Sequence, residues 1–156
     1  FENGQMDAIV AIDSAQWLAA KAAYKPVVDM MDWKVPMASG SVNVEVGWLR
    51  DNRETARRLV KSLVEARAVM ERDKGSFNRA LAKYFNITDP QLQAFIYSEL
   101  ESLPRKPYPS VDGIRRAMKL YDSFIPDMRK FRPEEFVDDS FVRELDESGY
   151  IDSLYK

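Results

Sequence analysis

The spacing of hydrophobic and polar positions changes near residue 50 of this chain. Before that point the apolar residues fall in three short runs, at 6–12, 26–31 and 41–48, and in the third run every second residue from Val42 to Val46 is Val. Short apolar runs are typical of buried β-strands, and strict alternation is typical of a half-exposed strand. The first 48 residues therefore predict three strands.

A helix is predicted between the first two strands. Asp13 and Ser14 supply N-cap chemistry for a helix over about 15–23, a segment rich in Ala, Leu and Lys, and Pro26 follows its end. Strand, crossover helix and strand are the parts of a βαβ unit. We therefore expect an α/β part over residues 1–48.

The remainder of the chain, 49–156, has the periodicity of α-helices. Apolar residues recur every three or four positions, as on the buried face of a helix. Helix starts are expected near Asp51, Ser76, Asp89, Ser110 and Asp139, because these residue types accept hydrogen bonds from the first turn of a helix. At least four helices are expected, so the second part is mainly helical.

The amino-acid composition limits the kinds of catalytic and metal-binding site that this chain can contain. The 156 residues include no His and no Cys, which excludes a Ser-His-Asp or Cys-His catalytic group, a His/Cys zinc site and a disulfide within this chain. A carboxylate-only metal site or an acid–base pair of carboxylates stays open. With a formal net charge of −2, the chain lacks the excess of basic residues that is typical of nucleic-acid-binding proteins, so we expect no nucleic-acid partner.

Three segments, taken in order, resemble a known family. Segment 4–9, GQMDAI, resembles the "G-x-x-D-A" strand of bacterial ABC-transporter solute-binding proteins of the aliphatic sulfonate, nitrate, taurine and thiamine-precursor type. Segment 51–54, DNRE, is loosely similar to the "N-P-E"-like helix opening of that family. Segment 133–152, which starts PEEFVDDSFVREL and ends GYID, resembles its C-terminal signature. The ordered set covers nearly the whole chain.

This resemblance implies a fold, a function and a location. The fold is the α/β, type 2 periplasmic-binding fold, here as a partial second lobe with a mainly helical C-terminal part. The function is that of a non-catalytic, cofactor-free component of an importer, which captures a small organic or anionic solute between two lobes and delivers it to the ABC transporter permease. The location is periplasmic or extracellular and membrane-associated, with a signal peptide in the precursor and membrane contact only through the transporter or a lipid anchor outside this chain.

The turn after the first predicted strand is the strongest candidate for ligand binding, and it contains Asp13, Ser14 and Gln16. Open α/β sheets bind ligands outside the carboxyl ends of their strands, and a helix N-terminus offers free N–H groups and partial positive charge to an anion. The alternative is that Asp13 and Ser14 only cap the helix. The Asp13 carboxylate disfavours an anion at this turn unless it points away, and it would suit a ligand with an ammonium or ring N–H group equally well.

A second candidate lies in the loop before the third predicted strand. Ser39, Ser41 and Asn43 offer polar side chains, and Gly40 allows a ligand to approach the backbone closely. The alternative is a hinge loop with no ligand contact. The acidic cluster within 134–139 is expected to be a solvated capping region, and no metal site is predicted.

Two alternatives to solute import remain. One is a ligand-sensing domain without a transport role, and the other is a helical protein-interaction domain of the same fold. The opening residues have neither an initiator Met nor a signal peptide, and we expect the chain to be the C-terminal half of a two-lobed protein. Half of such a fold exposes sheet edges and apolar surface, so we also expect association with itself or with a partner segment.

Overall fold

The computed structural model describes residues 3–38, 40–100 and 103–156, and within these ranges it contains helices and no β-strand. The α-helices are α1 (Asp13–Lys21), α2 (Val46–Asp51), α3 (Arg53–Arg72), α4 (Lys74–Phe85), α5 (Pro90–Leu100), α6 (Val111–Tyr121), α7 (Ser140–Glu147) and α8 (Tyr150–Ser153). Short 3-10 helices lie at Met30–Trp33, Pro126–Lys130 and Pro133–Phe136.

The predicted α/β, periplasmic-binding-like fold is therefore wrong. Residues 6–12 and 26–29 have no regular secondary structure, and the alternating segment is irregular up to Glu45, where α2 follows. The side chains that were expected to face a core are open to solvent, since Val10 is 82% exposed and Val27 is 94% exposed. The predicted βαβ unit retains only its helix, α1.

The strand predictions failed because a strand is not a local structure. Its backbone N–H and C=O groups need a neighbouring strand in register, and even a two-stranded hairpin is marginal in water. Alternating Val residues indicate which faces a strand would have, but they supply no partner. None of the described segments lies beside 6–12, 26–29 or 41–45 as a strand.

Helices after residue 50 follow the sequence prediction closely. The Asp89 carboxylate accepts a hydrogen bond from the Gln91 N–H at 2.7 Å at the start of α5. The Ser110 hydroxyl accepts one from the Gly113 N–H at 3.0 Å at the start of α6. Both predicted helix starts are confirmed, because each depends only on residues within one turn.

Other helix starts shift by a few residues. Asp73 is the N-cap of α4 and accepts a hydrogen bond from the Ser76 N–H at 2.9 Å, so Ser76 lies inside the helix. Asp51 ends α2 and does not cap α3. The N-cap of α1 is Ile12, which precedes the residues that were expected to cap it. Two acceptor-bearing residues close together can each serve as a cap, and the sequence does not choose between them.

The chain divides into two compact units. The first combines the described residues of Phe1–Asp29 and Asp73–Ser102, and within it α1 and α4 pack on α5. The second combines those of Met30–Arg72 and Leu103–Lys156, and within it α7 packs on α3 and α8. Each unit is therefore built from segments that are distant in sequence.

The second unit has a compact apolar core. Val64 of α3, Val142 of α7 and Ile151 of α8 form a buried cluster, and Val64 and Ile151 have no exposed surface. Four half-buried residues pack around it: Val60, Leu145, Leu154 and Tyr155. Removing a side chain of this size from water contributes about 1.5–3 kcal/mol, so this cluster is a principal source of stability for the unit.

The core of the first unit includes one polar side chain. Phe77, Leu81 and Leu100 are buried together with Gln93. The Gln93 side-chain amide donates a hydrogen bond to the backbone carbonyl of Ile87 at 2.8 Å. This bond offsets the cost of burying the amide and ties α5 to the loop that follows α4.

Candidate functional site

The first predicted ligand-binding turn lies at the start of α1. Asp13 and Ser14 are the first two residues of the helix, and their side chains lie outside the described part of the structure. Ile12 is the N-cap, in an extended conformation (φ −129°, ψ 155°), and no side chain caps the helix. Asp13 and Ser14 are therefore the first residues of the helix and not its N-cap, and the apolar N-cap residue Ile12 offers no side-chain acceptor to the first turn.

Gln16 is exposed in the same first turn. Its side chain makes no hydrogen bond to any residue in the described ranges, so its amide is available to a ligand. Together with the backbone N–H groups at the helix start and the positive end of the helix dipole, it gives this turn donors suited to an anion or a carbonyl group.

The opposite end of α1 is fixed within the first unit. Lys21 lies over the ring of Trp17, with its Nζ 4.6 Å from the ring centroid, and pairs with the Asp89 carboxylate at 3.8 Å. The backbone N–H of Gln91 lowers the pKa of Asp89, with a smaller contribution from Lys21. The helix is thus held at its C-terminal end within the first unit.

The second predicted set lies in a different unit. Ser39 lies outside the described residues, and the Ser41 hydroxyl donates to the Asn43 side-chain oxygen at 3.4 Å. Both of these side chains are exposed, and Gly40 has a left-handed φ of +68° with open space around it. The arrangement is that of a solvated connector whose polar groups partly satisfy each other.

Charged clusters in the second unit have structural partners. The Arg53 guanidinium donates to Asp138 at 3.2 Å and to the Ser140 hydroxyl at 2.7 Å, which ties α3 to the start of α7. Glu134 accepts from Arg115 at 3.0 Å. In the described ranges no three acidic side chains are grouped so as to hold a metal ion. Among these acidic residues, Asp138 accepts a hydrogen bond from the Ser140 N–H at 3.0 Å and Asp139 pairs with Arg143, so both contribute to the start of α7.

The C-terminal signature consists of residues that fold the second unit. Ile151 fills the core, and Gly149 turns the chain between α7 and α8 with a left-handed φ of +71°. The Tyr150 hydroxyl donates to the Glu65 carboxylate of α3, and this bond raises the pKa of Tyr150. These positions stabilise the packing of the second unit.

The basic side of α6 is a feature that the hydrophobic pattern of the sequence does not reveal. Arg115, Arg116 and Lys119 lie between the apolar positions of this helix in the sequence. The structure places a cavity of about 400 Å³ beside the helix, lined by Pro36, Asp112, Arg115, Arg116 and Lys119. The signal in the sequence was three basic residues within five positions, but Pro36 joins them only through tertiary folding.

None of the helices in the described ranges combines the length and apolar character needed to cross a bilayer.

Comparison of the chain with protein families, curated proteins and solved structures finds no match.

Proposed function

We propose that this chain belongs to the solute-binding component of an ABC importer and helps to capture a small organic or anionic solute. The observation that carries the proposal is the order of segments 4–9, 51–54 and 133–152, each similar to the corresponding segment of the sulfonate, nitrate, taurine and thiamine-precursor group. On this proposal the protein acts in the periplasm or outside the cell, delivers its solute to a membrane permease, and needs neither a cofactor nor a catalytic residue.

The geometry of α1 supports a binding role for its first turn. The described residues form no β-sheet, so the hydrogen-bond donors of the proposed site come from α1 and not from a sheet edge. The N-cap residue Ile12 makes no side-chain cap bond, and Gln16 is exposed in the same turn. Backbone N–H groups at a helix start bind sulfonate, phosphate or carboxylate groups, which agrees with the solutes that the resemblance implies.

A thermal-shift screen tests this function on the longest available form of the protein. The probes are taurine, ethanesulfonate, nitrate and a thiamine-precursor pyrimidine. A solute that binds only the folded state raises the melting temperature by mass action, and the rise grows with the logarithm of its concentration. We expect one probe class to do so. A melting temperature that no probe changes at tens of millimolar would contradict the proposal.

Variants of the α1 turn then test the site. Ser14→Ala and Gln16→Ala should each weaken binding of the active probe by about 1 kcal/mol, the usual net contribution of a neutral hydrogen bond. Asp13→Asn should have the larger effect if the probe carries a positive nitrogen, and little effect or a gain if it is a sulfonate. Gln91→Ala, at the exposed start of α5, is the matched control. Unchanged calorimetric affinity in all three α1 variants would remove this turn from the site.

A second candidate function is a helical protein-interaction domain. The observation that favours it is the set of large apolar side chains exposed in and after α6, of which Phe124 is 77% exposed; the others are Leu120, Tyr121, Phe131 and Phe136. Soluble monomers rarely expose such side chains together. The net charge of −2 gives little repulsion between copies, so the partner we propose is a second copy of this chain.

Sedimentation velocity separates this candidate from the first. Self-association predicts a weight-average mass that rises with protein concentration and a smaller rise for Phe124→Ser. A monomer at every concentration up to about 100 μM, where an association with a Kd of 1 μM would be complete, would exclude it.

A further inference from the structure

The cavity beside α6 depends on a close crossing of two backbone segments. Gly113, in the first turn of α6, lies against the backbone of residues 37–38. A Cβ atom at position 113 would lie 2.5 Å from both the Ala38 nitrogen and the Met37 carbonyl carbon, which is too close for any side chain. Gly113 therefore allows the chain to cross the helix, and the crossing places Pro36 opposite the basic residues of α6 as a cavity wall.

The charges around this cavity are only partly compensated. Arg115 pairs both with Asp112, the acidic residue in the lining, and with Glu134 outside it, so one positive charge faces two carboxylates. Arg116 and Lys119 have no acidic partner among the residues that the structure describes. They are three positions apart, so they lie on the same side of the helix. The three basic and two acidic side chains therefore leave this cluster a net charge of +1, and its two cations without an acidic partner both line the cavity.

We propose that this cavity binds a small organic anion that carries two negative charges, such as a phosphate monoester. The Arg116 guanidinium offers paired donors that match two oxygens of a phosphate group, and Lys119 adds a second, compact charge. The volume of about 400 Å³ lies in the range of small-molecule pockets and leaves room for a carbon skeleton beyond the phosphate. Pro36 supplies an apolar wall for that skeleton.

This site is separate from the start of α1 and does not depend on the importer proposal. Its residues, Pro36 and those of α6, all belong to the second unit, whereas α1 belongs to the first. A binding result at one of these sites therefore does not decide the proposal made for the other. The exposed position of Arg116 and Lys119 also means that both can be replaced without disturbing the core.

The test is a titration of the ¹⁵N-labelled chain with glycerol 3-phosphate at fixed ionic strength, followed by amide shifts. We expect saturable shifts confined to the amides of residues 37–38 and 112–119. The double variant R116Q/K119Q should bind at least tenfold more weakly. R72Q/K156Q removes the same charge from exposed positions of the same unit outside the cavity lining, and it should change the affinity less than threefold.

Three outcomes would overturn the proposal. Shifts that rise linearly without saturation would indicate diffuse charge attraction, as would an equal loss of affinity in R72Q/K156Q. Unchanged affinity in R116Q/K119Q would remove these two residues from any anion site. Equal affinity for inorganic phosphate would show that the carbon skeleton makes no contact, which contradicts an organic ligand.

Discussion

The segment before α2 and the α3–α7–α8 core contain similar apolar residues, but these residues are exposed in the segment and buried in the core. Val64 and Ile151 have no exposed surface in the core, whereas Val10 and Val27 of the early segment are almost fully exposed. Apolar content is therefore not what decides burial in this chain. What differs is whether the backbone N–H and C=O groups of the segment can form their hydrogen bonds within that same segment.

A helix and a strand differ in this requirement. Each residue of α3, for example, can form its backbone hydrogen bonds within the helix, so the helix needs a neighbour only for its apolar face. A strand needs a neighbour for its backbone as well. The segments 6–12, 26–29 and 41–45 have no such neighbour in the described structure, and they form no regular secondary structure.

The largest expected effect is at the core. Ile151→Ala should lower the free energy of unfolding by about 2–5 kcal/mol, because it removes buried methyl groups and leaves a cavity. Val10→Ala is the matched control in the early segment and should change it by less than about 0.5 kcal/mol. Urea denaturation measures both. A comparable loss in Val10→Ala would mean that the early run is packed in solution.

The crossing at Gly113 should give the next largest effect. Gly113→Ala forces a Cβ into the backbone of residues 37–38 and should cost about 1–3 kcal/mol. Gly47 of α2 has open space around it, so Gly47→Ala should instead stabilise the protein by up to about 1 kcal/mol. Thermal unfolding should therefore give a lower melting temperature for Gly113→Ala and a higher one for Gly47→Ala. A neutral Gly113→Ala would show that the two segments do not touch.

Helix caps should give a smaller difference. Ser110→Ala removes the hydroxyl that accepts from the Gly113 N–H and should destabilise by about 1 kcal/mol. Ile12 caps α1 without a side-chain acceptor, so Ile12→Asn should stabilise α1 by a few tenths of a kcal/mol or more. Circular dichroism during urea unfolding follows both. Equal and negligible effects would contradict the cap assigned at Ser110.

Acid should weaken the second unit through Asp146 of α7. The Lys106 ammonium, and then the Tyr108 hydroxyl, hold the pKa of Asp146 below its ordinary value of 3.8. A carboxyl whose folded-state pKa is lowered stabilises the fold above its unfolded-state pKa, and this contribution is lost as pH falls through the folded-state value. The urea midpoint should therefore fall between about pH 6 and about pH 3, and it should fall less in Asp146→Asn. An identical fall in the variant would exclude this pair as a contributor.

The sequence pattern predicts correctly those structural features that depend on residues a few positions apart. Ser110 and Asp89 were identified as helix starts because a cap and its first turn are adjacent in the chain. The alternation from Val42 to Val46 predicted a strand wrongly, because the pattern contains no information about a partner. At the candidate sites, Gln16 was placed correctly in a helix start, but Pro36 could not be connected to α6 before the fold was known.

Hydrogen exchange followed by mass spectrometry tests the central claim most directly. The account predicts strong amide protection in 56–72 and 142–153, where the helices form the core, and rapid exchange in 6–12 and 41–45, where no strand exists. Protection of 6–12 and 41–45 equal to that of α3 would show that these runs are paired as strands in solution, and would contradict the all-helical account.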